Sequence, residues 1–188
     1  KKYGKRIISL RVITDGDLKN KQLISNITKW RDKNTKWFPS QFKATNERTK
    51  RWLDELVLKI PDRILFSIED EYKKMYGHLG FYRYDPLNNT CELDNVMRGV
   101  SGIGGLMTDC VKKLVAWGIN NLGIDEIYLT VFLDNVRAIN LYKRCHFVKH
   151  RKIGLYKVIR NNEVRWEEIL KGEKKKPQRF FLKMKFAG

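Results

Sequence analysis

Met97-Arg98-Gly99-Val100-Ser101-Gly102-Ile103-Gly104-Gly105-Leu106 is the stretch around which the rest of the chain is organised. Before it, residues 91–97 read as a strand with Glu92, Asp94 and Val96 on one face, because side chains alternate along a strand. After it, Leu106, Met107, Cys110, Val111, Leu114, Val115 and Ile119 recur at three-and-four spacing, which predicts an amphipathic helix over 105–121 ending near Gly123. Glycines let a backbone turn with its amides converging, and the following helix start adds about half a positive charge, so such a loop can hold a diphosphate without any side chain. A plain glycine turn is the competing reading. The Walker pattern is absent, since no Gly-Lys-Ser/Thr follows. The dinucleotide fingerprint fits poorly, because the strand before the loop belongs to an antiparallel run.

That run lies just upstream. Residues 63–68, 75–84 and 91–97 are separated by short polar turns at 69–71 and 85–89, and short turns join antiparallel neighbours. Further upstream, the branched apolar residues 7–13 predict a strand that stops at Thr14-Asp15-Gly16-Asp17. Leu23, Ile24, Ile27 and Trp30 then mark a helix to about Asp32, and Trp37-Phe38-Pro39 a loop. A second helix starts at Thr45, an N-cap with Glu47 in its first turn, and runs through Val57 toward Pro61. Downstream, Ile127, Leu129 and Val131 alternate in a strand over 125–133, and Asp134-Asn135 cap a helix through Cys145. From Phe147 the tail is again read as strands, with a turn at Asn161-Asn162, a basic loop at Lys174-Lys175-Lys176-Pro177 and a last strand over 179–186. The order implies an α+β (mixed α/β) fold. No linker-like stretch or repeat divides the 188 residues, a length usual for one domain, so residues 1–188 are expected to form a single one.

Charge sets the class of partner. With 39 Lys plus Arg against 21 Asp plus Glu the formal net charge is +18, which favours anionic partners without choosing among nucleic acid, headgroups and phosphorylated small molecules. The three lysines at 174–176 are a weak nucleic-acid signal, and a solvated loop explains them. Cys91, Cys110 and Cys145 form no CxxC pair and His78, His146 and His150 no ligand spacing, so neither a disulfide framework nor a metal site is expected. No apolar run reaches the roughly 20 residues of a membrane span, and the start Lys-Lys-Tyr-Gly-Lys-Arg carries no signal-peptide core. A cytoplasmic protein is expected.

A second motif lies at residues 129–147, Leu-Thr-Val-Phe-Leu-Asp-Asn-Val-Arg-Ala-Ile-Asn-Leu-Tyr-Lys-Arg-Cys-His-Phe. Together with the glycine loop it resembles the Gcn5-related N-acetyltransferase (GNAT) superfamily. The superfamily loop, Arg/Gln-x-x-Gly-x-Gly/Ala, is matched by Arg98, Gly102 and Gly104 with one extra residue after Arg98, which leaves open which amides face a phosphate. In the second motif Asn135, Ala138, Tyr142 and Phe147 fall in place, whereas His146 stands where glycine is usual; that substitution is tolerable where the backbone keeps a negative φ. The resemblance covers nearly the whole chain and implies a central, mostly antiparallel, splayed mixed sheet flanked by about four helices. It further implies acetyl-CoA as co-substrate, with Val96, Met97, Arg98, Gly99, Ser101, Gly102, Ile103, Gly104, Gly105, Asn135 and Ala138 as its binding residues.

An amine attacking a thioester must lose a proton, and the departing thiolate gains one. The resemblance makes Tyr142 the proton donor; a core tyrosine on an apolar helix face is the alternative. For the base it points to a carboxylate on the 91–97 strand, acting directly or through water, hence Asp94, nearer the glycine loop, or Glu92. Either is also explained as a surface or substrate-holding carboxylate. The amide near Val96 or Met97 would hold the thioester oxygen.

Within the superfamily, Trp30-Arg31, Trp52 and the 94–99 stretch look similar to the branch that acetylates nucleotide-linked amino sugars. The expected acceptor is therefore an anionic small molecule of that type, contacted by Trp30, Arg31, Trp37, Phe38 and His78, with nucleic acid and membrane not expected as partners and a homodimer expected as the assembly. A peptide or ribosomal N-terminal acetyltransferase, and a basic nucleic-acid-binding module without turnover, remain open alternatives.

Overall fold

The computed structural model describes residues 2–3, 6–161 and 163–188. Lys1, Gly4 and Lys5 of the amino-terminal run, and Asn162 of the expected Asn161-Asn162 turn, lie outside the described residues. Ten strands among the described residues form one sheet: β1 (Lys2–Tyr3), β2 (Arg6–Val12), β3 (Ser40–Gln41), β4 (Ile64–Asp70), β5 (Met75–Asp85), β6 (Thr90–Arg98), β7 (Glu126–Phe132), β8 (Phe147–Arg160), β9 (Glu163–Glu168) and β10 (Arg179–Phe186). Their order is β1-β2-β4-β5-β6-β7-β10-β8-β9-β3, antiparallel throughout except for β6 and β7. Four α-helices flank it: α1 (Lys21–Lys33), α2 (Asn46–Leu53), α3 (Leu106–Leu122) and α4 (Val136–Arg144). This is the mixed, mostly antiparallel sheet with four helices that the family resemblance implies.

Side-chain caps set the helix starts. The Asn20 carboxamide accepts from Leu23 N at 3.0 Å, Thr45 Oγ1 from Arg48 N at 3.3 Å and Asn135 Oδ1 from Ala138 N at 3.2 Å, satisfying amides that have no partner within the helix. α3 starts instead on Gly105, at φ 73°, with no side-chain cap, and stops on Gly123 at φ 64°. The second helix is shorter than its periodicity predicts, turning π-helical over Asp54–Leu58. β4 outruns the polar turn expected at 69–71. Asp70 accepts from the amides of Tyr72 and Lys74 at 3.0 and 2.9 Å, so the chain reverses at 71–74 instead.

Alternation along β4 shows that the sheet is covered on both faces: Leu65 enters one core with Leu23, Ile27 and Leu53 of α1 and α2, and Phe66 the other with Val111, Leu114 and Tyr142 of α3 and α4. β10 inserts between β7 and β8, tying the chain's end into the sheet. Burial of these fully enclosed side chains contributes about 1.5–3 kcal/mol each. Two features position the site. β6 and β7 pair only over Thr90–Glu92 and Glu126–Tyr128 and then separate. Opposite β5, the register steps from Gly80↔Asp94 to His78↔Met97, so Asn95 and Val96 together face Leu79, with Asn95 at φ 52°. Such a bulge bends a strand and leaves part of its ladder unpaired.

The left-handed backbone of His146, φ 66°, departs from the negative φ that would have made its replacement of glycine cost-free. Its amide donates to Lys143 O and its carbonyl accepts from Ala187 N. The helix-ending geometry is therefore kept, at the expense of a conformation unfavourable by roughly 1–2 kcal/mol for a side-chain-bearing residue. Among the described residues no helix is long and apolar enough to cross a membrane.

Candidate active site

Two cavities flank β6 at the bulge. One, of about 440 Å³, lies where α3 and α4 begin and takes in Val96, Met97, Arg98, Gly105, Asn135 and Ala138. Leu106, Met107 and Thr108, the first turn of α3, complete one wall, and Arg137, Leu141 and Arg144 of α4 another. The other, of about 550 Å³, lies between α1, α2, the segment 38–44 and strands β5 and β6.

Around the first cavity the glycine stretch divides by function. The amides of Gly99 and Val100 both donate to Tyr76 O, at 2.8 and 3.1 Å. The Arg98 guanidinium braces the turn by donating to Val100 O and Ile103 O at 3.1 and 3.3 Å. Ser101, Gly102, Ile103 and Gly104 shape the loop but do not line the cavity. Gly102 stands at φ 107°. The first intrahelical bond of α3 is Asp109 N to Gly105 O, so the amides just before it have no helical acceptor and carry the positive end of the helix dipole. Arg98, Arg137 and Arg144 add three guanidiniums. This donor set fits a pyrophosphate, and the gap between β6 and β7 leaves unpaired strand edges for an amide-bearing chain.

Gly99 has a separate steric role. A Cβ there would sit 2.1 Å from the Trp30 ring, and Trp30 in turn stacks on His78, centroids 6.4 Å apart. Gly99→Ala is expected to destabilise the protein by about 1–3 kcal/mol through overpacking, measured by urea denaturation. Trp30 is thus a packing residue, absent from the walls of both cavities.

Arginines dominate the larger cavity: Arg31, Arg48, Arg51 and Arg63 face it with only Glu55 and Asp94 as acids. Arg63 is paired with Asp94 at 2.6 Å, and Arg48 with Glu163 at 2.6 Å. Arg31 has no carboxylate partner among the described residues. It donates to Thr35 Oγ1 at 3.2 Å and to Ser40 O, and lies over the Phe38 and Phe42 rings at 3.7 and 4.6 Å. Burial, with the Arg48 charge adding and Asp32 opposing, pulls it down to about 10, still charged at neutral pH. Trp37 lies apart from Phe38, on the wall of the first cavity.

His78 and Asp94 also line the larger cavity. Asp94 Oδ2 accepts from Arg63 and from Asn95 Nδ2, both at 2.6 Å, while Oδ1 has no hydrogen-bond donor among the described residues. Glu92 faces neither cavity and instead meets Arg83 at 3.4 Å and Lys183 at 3.9 Å. Tyr142 is buried and edge-on to Phe147, and its hydroxyl makes no hydrogen bond to the described residues. Burial foremost, then the charge of Asp94, raises it well above the ordinary tyrosine range, so the phenol stays protonated. Cys91, Cys110 and Cys145 are buried and free, pushed up by burial to about 12, 12 and 11. A thiol must ionise to act as a nucleophile, so their burial disfavours that role. Phe42, Arg48, Arg51 and Arg63 are cavity residues not foreseen in the sequence. The Arg48, Arg51, Trp52, Glu55 spacing on α2 carries that information, since residues three or four apart share a helix face.

An acyl-carrier cleft at a splayed strand pair, backed by a glycine loop and the start of α3, defines the acetyltransferase class. The GNAT acetyltransferase domain model matches residues 8–148, and the chain belongs to this family: it is an acetyl-CoA-dependent N-acetyltransferase. It is similar to the spermidine N(1)-acetyltransferase of Vibrio cholerae, 25% identical over 145 residues, covering 76% of this chain and 79% of that protein. Among solved structures, a Vibrio cholerae spermidine N-acetyltransferase complexed with CoA and spermine superposes with a TM-score of 0.67 at 16% identity, over 95% of this chain and 94% of that one. A chimera of the Vibrio cholerae enzyme with hSSAT gives 0.70, also at 16% identity and with the same coverage.

Proposed function

We propose that this enzyme acetylates the primary amine of an anionic small molecule, a nucleotide-linked amino sugar, with residues 1–188 acting as one acyltransferase domain in the cytoplasm. The observation that carries this reading is the half-buried guanidinium of Arg31, which has no carboxylate partner among the described residues, in a cavity where four arginines face two carboxylates. A buried cation without a counter-ion is costly unless a ligand supplies one, and a guanidinium matches a phosphate by a forked pair of hydrogen bonds. Trp52 and Phe38 offer faces for a base or sugar ring.

Acetyl-CoA supplies the activated acetyl group. The first turn of α3 with Arg98, Arg137 and Arg144 holds the pyrophosphate, and the bulge at Asn95 and Val96 presents amides to the thioester oxygen. Asp94 Oδ1, directly or through a water, receives the surplus ammonium proton. The freed nitrogen lone pair forms the C–N bond as the C–S bond breaks. Tyr142 hydrogen-bonds the departing sulfur, which gains a proton while the new amide nitrogen loses one. Glu92, held by Arg83 and Lys183, takes no part.

The similarity to spermidine acetyltransferases favours a second reading, a polyamine acceptor. Spermidine is a polycation, and the arginines of the cavity wall would repel it. A panel of 4-amino nucleotide sugars, spermidine and basic peptides, assayed for free thiol release from acetyl-CoA, decides between them. Turnover of the nucleotide sugars is expected; turnover of spermidine or peptides alone rejects the anionic acceptor.

A further inference from the structure

Two guanidiniums share the Phe42 ring: Arg31 Cζ lies 4.6 Å from its centroid and Arg48 Cζ 4.0 Å. No more than the sum of those distances separates them, close enough for one phosphate to accept from both. Burial is the main reason Arg31 is held below the usual arginine range, and repulsion by Arg48 adds to it. Contacts elsewhere keep the two like charges together. Arg31 donates to Thr35 Oγ1 at 3.2 Å and to Ser40 O, and Ser40 of β3 is paired in register with Arg165 of β9. Arg48 donates to Glu163 Oε1 at 2.6 Å, and Glu163 is the first residue of β9. The short β3–β9 pairing thus belongs to the same assembly as the two arginines.

Arg31, Phe42 and Arg48 all line the larger cavity, whereas Glu163 does not. The Arg48 side chain is 45% exposed and that of Glu163 24%, so the ion pair is open to water. Such pairs contribute little, and a phosphate, with more charge and a geometry matched to the guanidinium fork, outcompetes a lone carboxylate. Arg63 is not free for this role, since it is committed to Asp94 Oδ2 and Leu56 O. We propose that Arg31 and Arg48, over Phe42, form a phosphate subsite for the acceptor, and that Glu163 is an internal counter-ion which the phosphate displaces from Arg48. The exchange is one of counter-ions, with no covalent change. This inference rests on the anionic-acceptor reading of the larger cavity, and it adds to that reading a second arginine and the carboxylate that occupies it beforehand.

Calorimetric titration of the CoA-saturated protein with inorganic pyrophosphate tests it, because CoA keeps the probe out of the loop cavity. Arg48→Met should weaken pyrophosphate binding about 10-fold, the loss of a charge-assisted contact. Glu163→Gln should tighten it about 3- to 5-fold by removing the competitor; a residue that merely braced the wall would give the opposite sign. Lys175 and Glu173 form an exposed pair at 3.0 Å and line neither cavity, so Lys175→Met and Glu173→Gln repeat the same charge changes away from the site and should leave the affinity unaltered. Unchanged or weaker binding in Glu163→Gln overturns the proposal, and so does an equal loss in Arg48→Met and Lys175→Met, which would reduce the effect to net charge. If Arg48→Met does not fold, Arg48→Lys serves: keeping the charge without the fork, it should bind about 3-fold more weakly, and undiminished binding overturns the subsite. The two readings fail separately. Turnover of spermidine alone would remove the anionic acceptor whatever pyrophosphate does, whereas turnover of nucleotide sugars with pyrophosphate indifferent to both substitutions would remove this subsite alone.

Discussion

Replacement of Tyr142 by Phe is expected to lower kcat by about 100- to 1,000-fold while leaving acetyl-CoA affinity within twofold, the range general acid catalysis supplies. Phe keeps the edge-on contact with Phe147, whose ring centroid is 6.1 Å away, so the fold should be retained. The hydroxyl is the only part removed. It is buried on the face of α4 turned toward the core, one residue beyond Leu141 and four beyond Ala138, both of which line the loop cavity. The charge of Asp94 also acts on it, and the side chain sits behind Leu141 and Ala138 without itself lining either cavity. Its raised pKa has a definite sense. A phenol made harder to ionise by burial and a nearby carboxylate cannot serve as a base at neutral pH, but it can hydrogen-bond a developing thiolate and relay a proton from the new amide nitrogen. The pH profile of the native enzyme should consequently show no alkaline limb from Tyr142 ionising below about pH 10, the ordinary tyrosine value. Stopped-flow thiol release compared between the two proteins is the measurement. An unaltered rate removes Tyr142 from the chemistry and returns it to the core.

The legible parts of this chain were those that depend on near neighbours in sequence. Periodicity marked α1 and α3, the Thr45 and Asn135 caps are local, and the glycine loop announced both a turn and the start of α3. Pairings made across long distances were not legible: β10 entering between β7 and β8, or the two-residue β3 closing on β9, follow from packing that no window of residues records. The site divides the same way. Arg98, Gly105 and Asn135, which line the loop cavity, lie in motifs that are short and contiguous. Arg63 was not, because its importance lies in reaching Asp94 from 31 residues away. Trp30 and Trp37 read as ligand-facing aromatics because sequence shows exposure poorly; one is pinned under Gly99 and the other stands on the wall opposite. The extra residue after Arg98 acquires a physical meaning only in three dimensions. It lets Gly99 and Val100 direct their amides to Tyr76 and leaves the partnerless amides to the start of α3.

Arg31→Met should raise KM for a nucleotide-linked acceptor by about 10- to 100-fold, the value of one or two charge-assisted hydrogen bonds of about 1.5–3 kcal/mol each less the charge's own desolvation. Methionine preserves much of the aliphatic stem that packs beside Phe38 and Phe42. Acetyl-CoA affinity should not move, since Arg31 lies outside the loop cavity. The loss should shrink for an amino sugar lacking phosphate, because the guanidinium then has no anion to meet. Stability provides an independent reading of the same group. Arg31 is held below its usual range by burial, so its charge opposes folding, and the methionine variant should be as stable as the native protein or more so while binding the acceptor worse. A residue kept for packing would show the reverse, lower stability with binding intact. Polyamine turnover supplies the remaining contrast. If the cavity accommodates spermidine, deleting a cation from its wall must improve binding, so a fall in spermidine KM in Arg31→Met, with no effect on nucleotide-linked amines, would reassign the acceptor to a polycation.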